Sequence, residues 1–448
     1  MNVEQVSTFV TELKWEQVPE QARQRARQRL LDTIGTAVGG WSTNAGAVAV
    51  ASTAGERGEY LALAPGLPRL PAASAGFVSS VHASALDYDD GHYQGGAIHP
   101  SSVIVPALLV AGSRIDVGGE QLAVAQVAAY EVAIRLAHLL WPRTGDRWHC
   151  TATAGAVGAA AGVARLLGLD AERTRSAILT AWSHSPQSAL HLPMSKEAIG
   201  WGGAVAVHAA SLAATGWMAV GSGLEAPPTP SIFPPTPFDY PDAQGDPFVR
   251  TIGSVFEIER SYLKPHAACR YTHTAVDVLG ELLDAGVSAA QITDVRVLTH
   301  SWASFLDYRR PVSLEHAQYS YPFVLAVRAI RGAVTPRELN EAALTDPDLL
   351  EFAGKVSVVE DPSLDDHLPD HYPTALEIVL ESGEVMAMAP RVIARGDAEA
   401  PLDDAAIEAK FRGMAEPVLG GRAEDVISAV AGYASTRELW AGLGAAGV

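Results

Sequence analysis

Cysteine is nearly absent: Cys150 and Cys269 are the only two in 448 residues. That is too few for a four-cysteine iron–sulfur cluster, and it gives no disulfide framework. Basic charge is also short. Lys and Arg number 32 against 51 Asp and Glu, for a formal net charge of −19. Such a balance argues against nucleic acid or an anionic membrane as partner. An anionic small molecule stays open, because a local group of Lys, Arg and His overrides the global field at close range. The first 18 residues carry Glu4, Glu12, Lys14 and Glu16 without an apolar h-region, so no signal peptide is read. The most apolar later stretch, residues 151–163, is rich in Ala and Gly and stops at Arg165, short of a membrane span. A soluble cytoplasmic protein is the expectation. No Gly-rich phosphate loop, His-Glu-x-x-His or nucleophile elbow occurs. Gly155-x-x-Gly158 lacks the preceding strand that a dinucleotide fingerprint needs. Internal repeats and low-complexity segments are also missing.

What is present is a globular composition, 48% apolar and 19% charged, in a chain long enough for two domains. Pro19 opens a helix that Gly39-Gly40 ends, with Ala22, Ala26, Leu30, Ile34 and Val38 four residues apart. Arg23, Arg25, Arg27 and Arg29 between them read as a solvated face. Residues 44–65, 73–86, 121–140, 156–167, 171–190 and 204–215 read as further helices. Glu131 and Arg135 are spaced to pair on a helix surface, and Gly155, Ala159 and Val163 to admit a close neighbour. The proline-rich run at 225–249 cannot be helix or central strand and marks a boundary. Beyond it, strands are expected at 295–298 and 356–359, and a hairpin around Ser382-Gly383. Helices at 272–285, 321–332 and 337–344 intervene, and residues 403–443 are helical again. The fold class expected is mainly α with an inserted α+β domain. A helical domain spans 1–250, an α+β lid 251–396, and helices at 397–448 return to the first domain.

Four stretches combine ionisable side chains with glycine or proline breaks. The first, between a helical and a buried apolar run, holds Asp87, Asp89, Asp90, Gly91, His92 and His99. The second holds His149, the third Lys196, and the fourth Lys264, His266, Cys269, Arg270 and His273. Together they offer imidazoles for proton transfer, cations for carboxylates and acids to orient histidines. Plainer readings stand beside these. His149 next to Trp148 suits a satisfied buried histidine, Lys264 a surface lysine, and Cys150 a small buried residue. One aspartate of the first stretch suits a cap for the helix starting near Ser101. Asp87, Asp89, Asp90 and His92 also form an oxygen and imidazole set that a divalent metal would accept.

The chain resembles the MmgE/PrpD family. The resemblance rests on Leu31-Asp32-Thr33-Ile34-Gly35, on Leu86-Asp87-Tyr88-Asp89-Asp90 followed by His99-Pro100, and on Tyr130-Glu131-Val132-Ala133-Ile134-Arg135. It continues through Trp148-His149, Lys264-Pro265 with Cys269-Arg270-Tyr271-Thr272-His273, Ala317-Gln318-Tyr319-Ser320 and Lys410-Phe411. It implies a helical domain from both chain ends, an inserted lid, an active site between them, a homodimer, and neither metal nor organic cofactor. By motif, Asp87, His99, His149, Lys196 and Lys264 match the family's catalytic positions, and Cys269, Arg270, His273, Gly91 and Phe323 its substrate-binding surroundings. Gly91 stands where a threonine often follows the acids, and Phe323 where a tyrosine is common. The loop from Gly91 to His99 is longer than usual.

The resemblance therefore predicts a lyase acting on a small di- or tricarboxylate. Lys196, Lys264 and Arg270 would hold carboxylates. His99 and His149 would move protons at the neighbouring carbon, Asp87 would orient a histidine, and lid closure would exclude water. Dehydration of the 2-methylcitrate type is expected first, then decarboxylation of the cis-aconitate type, then epimerisation or isomerisation of an iminodisuccinate-like acid. An inactive binding or assembly protein on the same scaffold is the remoter alternative.

Overall fold

The computed structural model describes residues 2–144, 149–186, 195–219, 236–239, 243 and 245–445. Trp148 and most of the proline-rich run lie outside them. By contact density the chain forms two units. One comprises Met1–Ala85, Asp89–Ser261 and Asp403–Val448; the other comprises Leu86–Tyr88 and Tyr262–Leu402. The fold is mainly α with a small α+β part.

The first unit is built on α1 (Val3–Glu12), α2 (Glu20–Gly40), α3 (Asn44–Ala51), α4 (Ala72–Ala85) and the single turn α5 (Gln94–Ala97). They are followed by α6 (Ser101–Gly112), α7 (Gly119–Thr144), α8 (Cys150–Leu166), α9 (Ala171–His184) and α10 (Lys196–Ala214). The small residues of α8 admit neighbours closely on two sides. A Cβ at Gly155 would lie 3.0 Å from the Val103 side chain on α6, and one at Gly158 would lie 2.7 Å from that of Ala133 on α7. The helices Asp404–Leu419 and Thr436–Gly442 close on the same unit. Lys410 pairs with Asp32 at 2.6 Å, both buried, and the Trp440 indole donates to the Leu109 carbonyl at 3.0 Å.

Four expectations for this unit need correction. The arginines of α2 are not a solvated face. Arg25 and Arg29 are buried, and Arg29 donates to the Ser261 hydroxyl at 2.9 Å and to its carbonyl. Arg23 stacks on Trp15. The Glu131–Arg135 pair forms at 2.8 Å but is fully buried. Residues 248–257 cover it: Arg135 donates to the Val255 carbonyl, and the Glu257 amide donates to Glu131. These contacts bind 251–261 to the helical unit, so the first boundary falls at 261/262 instead of 250/251. Finally, the helix expected over 44–65 stops at Ala51.

The second unit holds a four-stranded sheet in the order β2-β1-β3-β4. β1 (Ile292–Thr299) runs parallel to β2 (Val356–Glu360) and antiparallel to β3 (Thr374–Leu380), which pairs with β4 (Val385–Arg391). Val297 faces Val358 on one side and Leu376 on the other, and β1 alternates buried and exposed side chains as a half-buried strand does. Gly383, at φ 84, makes the β3–β4 turn. The helix expected at 337–344 is absent. A 3-10 turn at Glu341–Thr345 precedes a helix, Pro347–Gly354, capped by Asp346. The second boundary falls at 402/403 instead of 396/397, because the turn at 394–400 is tied into this unit. Gly396 accepts from the Leu263 amide at 3.0 Å, and Asp397 receives Arg270.

Candidate active site

Within the helical unit the polar stretch folds onto itself. Asp90 is fully buried and serves three neighbours. One carboxylate oxygen accepts the Ser101 amide at 3.0 Å, the other accepts the Tyr130 hydroxyl at 2.7 Å, and the backbone carbonyl lies 2.6 Å from His99 Nδ1. Burial pushes the Asp90 carboxyl above the usual range, opposed by Arg29, Tyr130 and Ser101. The acid expected to cap the helix after Ser101 is therefore Asp90. Asp89 Oδ2 stands 4.0 Å from the same His99 nitrogen. Between these anchors, residues 92–98 form a closed excursion in which the His92 amide donates to the Ile98 carbonyl at 2.8 Å. Gly96, at φ 71, lies so close to Trp141 that no side chain fits there. His92 reaches Glu257 at 3.3 Å.

His99 and His149 come together. Their rings stack with centroids 5.5 Å apart, inclined by 22°. His149 caps α8, its Nδ1 accepting the Thr151 amide. The Thr151 hydroxyl lies 2.9 Å from that nitrogen and also accepts the His99 amide at 2.9 Å. Thr151 was not singled out in the sequence; the signal was its place two residues after His149, at a helix start. Lys196 is buried at the first position of α10, and Gly91 is buried beside Asp90.

In the α+β unit, Asp87 and Lys264 come together, both fully buried. Lys264 Nζ donates to the Asp87 carbonyl at 3.0 Å and lies 3.3 Å from its carboxylate. The Tyr319 hydroxyl approaches the other carboxylate oxygen at 3.4 Å. Asp87 is held at φ 48, a conformation costly for a residue with a side chain and characteristic of functional sites. The Tyr88 hydroxyl donates to the Pro265 carbonyl at 3.1 Å and fixes the two segments together. The groups at His99 Nδ1 are thus Asp89 and the Asp90 carbonyl, whereas Asp87, expected to orient a histidine, pairs with Lys264.

Arg270 and His273 take up internal duties. Arg270 pairs with Asp397, donates to the Arg395 carbonyl and to His273 Nδ1, and stacks on Tyr262. Burial, then Arg270 and His266, hold the His273 imidazole well below the usual range. His266 pairs with Asp277 at 2.9 Å. What reads in sequence as a cationic cluster is thus matched by two acids from elsewhere in the unit. Cys269 is buried and donates its amide to the Gln318 carbonyl. Phe323 is fully buried in the helix Tyr321–Arg331. The ionisable groups of the first stretch diverge to different partners, and among the described residues no three His, Cys, Asp or Glu side chains converge as a metal site would require.

Comparison with known proteins adds family evidence to this geometry. The MmgE/PrpD N-terminal domain matches residues 4–228 and the MmgE/PrpD C-terminal domain matches 266–432. Human cis-aconitate decarboxylase is 23% identical over 436 residues, covering 93% of this chain and 88% of that protein. The 2-methylcitrate dehydratase of Cupriavidus necator is 28% identical over 245 residues, covering 51% of this chain and 50% of that protein.

Proposed function

This chain belongs to the MmgE/PrpD family, and from that premise we propose that it is a lyase that dehydrates a small di- or tricarboxylate of the 2-methylcitrate type. The carrying observation is the buried chain His99–Thr151–His149. Elimination of water requires a base at the carbon next to a carboxylate, and a hydrogen-bond donor where negative charge develops. His99 suits the base: its Nδ1 rests on a carbonyl, and Asp89 at 4.0 Å favours the imidazolium formed on proton uptake. The buried lysines Lys196 and Lys264 are the cations proposed for substrate carboxylates. Lys264 commits one N–H to the Asp87 carbonyl, and its charge is paired with the Asp87 carboxylate at 3.3 Å.

Decarboxylation is the second reading, favoured by the match to a cis-aconitate decarboxylase over 93% of this chain. The test is incubation with 2-methylcitrate, citrate, cis-aconitate and iminodisuccinate in deuterated buffer, with product analysis. Loss of water with deuterium exchange supports the dehydratase. Release of carbon dioxide supports the decarboxylase. If no acid reacts or exchanges, the catalytic reading fails.

A further inference from the structure

The hydrogen-bond directions around Thr151 divide the labour of the two histidines. The Asp90 carbonyl can only accept, so His99 Nδ1 carries a proton and the lone pair of the neutral ring lies on Nε2. The Thr151 backbone amide can only donate, so His149 Nδ1 accepts and its proton lies on Nε2. The Thr151 hydroxyl fits the same polarity: it accepts from the His99 amide and turns its own hydrogen to His149 Nδ1. Protonating His149 Nδ1 would set an N–H against the Thr151 amide at the start of α8, where a helix end disfavours positive charge. His99 has the opposite surroundings, with Asp89 at 4.0 Å from its protonated nitrogen.

We infer that the Asp90 carbonyl and Thr151 fix opposite tautomers on the two rings, with Thr151 the positioning residue for His149: His99 alone exchanges a proton, at Nε2, while His149 stays neutral and donates its Nε2–H to the oxygen where charge develops. The inference rests on the lyase reading for its chemistry, but the tautomers can be read without turnover. In the proposed dehydration, His99 Nε2 takes the proton from the carbon next to the carboxylate, and the C–H electron pair enters the enediolate. Its oxygen is met by the His149 N–H. The electrons then return to form the C=C bond as the C–O bond breaks. The departing hydroxide takes the proton back from His99, leaving as water and restoring the neutral ring.

Side-chain 15N spectroscopy of the histidine-labelled protein at mildly basic pH tests this directly, with His99→Gln and His149→Gln used to assign the two rings. The expected result is the Nδ1–H tautomer at His99 and the Nε2–H tautomer at His149; the Nδ1–H tautomer at His149 overturns the proposal. Thr151→Val removes the closer donor, the hydroxyl at 2.9 Å, and leaves only the amide at 3.4 Å, so it should mix the His149 tautomers; Thr151→Ser should restore them, and equal spectra for both variants would also overturn the proposal. On whichever acid turns over, glutamine keeps an N–H donor but cannot serve as a base. His149→Gln should therefore lose less than about tenfold in kcat and His149→Ala about 10²–10³, while His99→Gln loses about 10²–10⁴. Equal losses for the two His149 variants count against the donor role. If no acid reacts, the lyase reading falls while the tautomer result still stands or falls on the spectra.

Discussion

His300 is fully buried at the end of β1, and among the described residues neither of its ring nitrogens has a hydrogen-bond partner. It stacks on Tyr372 at 5.4 Å and meets Tyr271 edge-on at 5.2 Å. Burial lowers its pKa from 6.5 to about 4, although Asp365 pulls the other way. A folded pKa below the unfolded one means that the unfolded chain takes up the proton first. The associated stability is present above the unfolded pKa and is lost as pH falls towards the folded one. With values of 6.5 and about 4, the loss between pH 7.5 and pH 5 is about 2 kcal/mol, and it saturates at about 3 kcal/mol at lower pH. His300→Phe keeps a ring between the two tyrosines and removes the titration. Amide hydrogen exchange of β1 at pH 7.5 and pH 5, corrected for the intrinsic pH dependence, reads opening of this unit alone. The variant should gain about 2 kcal/mol of protection at pH 5 relative to wild type, beyond any difference at pH 7.5. Parallel pH dependences for the two proteins would refute the reasoning.

Asp87→Asn leaves the Lys264 ammonium buried without its counter-charge, so urea denaturation should show about 3–5 kcal/mol of destabilisation. Adding Lys264→Met should recover part of it, and an Asp87→Asn effect within about 0.5 kcal/mol would contradict the pairing. Tyr130→Phe deprives the buried Asp90 carboxylate of a 2.7 Å donor, and thermal unfolding should register about 1–3 kcal/mol. Gly203→Ala on α10 would set a Cβ 2.6 Å from the Gly76 carbonyl oxygen on α4, for a loss of about 1–3 kcal/mol by urea denaturation. Gly413→Ala is the contrast: exposed inside the helix Asp404–Leu419 and meeting nothing within 4 Å, it should stabilise by about 0.5–1 kcal/mol in the same assay.

Local signals in the sequence place elements well and environments poorly. Pro19 and Gly39-Gly40 bracket α2 because φ preferences and missing donors act within a few residues. Ser382-Gly383 marks the β3–β4 turn for the same reason. The helix Pro347–Gly354 also has a local signal, Asp346 at the cap followed by Pro347, and it is a stronger one than the pattern at 337–344. The fate of the α2 arginines was not local. Arg29 finds its acceptor at Ser261, 232 residues away, and no periodicity within a helix announces that. Glu131 and Arg135 have the spacing of a surface pair and the environment of a core, because residues 248–257 cover them. In the opening stretch the residue types pointed to chemistry, but their allocation depends on backbone conformation. Asp87 at φ 48 goes with Lys264 while Asp90 goes with Tyr130 and Ser101.

That allocation bears on how such chemistry can run inside a strongly acidic chain. Lys264 with Asp87, Arg270 with Asp397, Lys410 with Asp32, and Arg135 with Glu131 and Glu257 are each buried and each matched in sign. Removing one partner from such a pair is far more costly than the pair is stabilising, so these pairs act as constraints on geometry more than as sources of stability. A matched pair also contributes little field beyond a few ångströms. On the proposed lyase reading, control over the reacting proton then passes to hydrogen-bond direction, which acts at contact distance and is insensitive to the net charge of −19. The Thr151 amide and the Asp90 carbonyl are backbone groups whose polarity cannot titrate. Setting two histidines by groups that do not titrate, the Asp90 carbonyl for His99 and the Thr151 amide and hydroxyl for His149, makes their difference in tautomer independent of pH over the range in which both stay neutral.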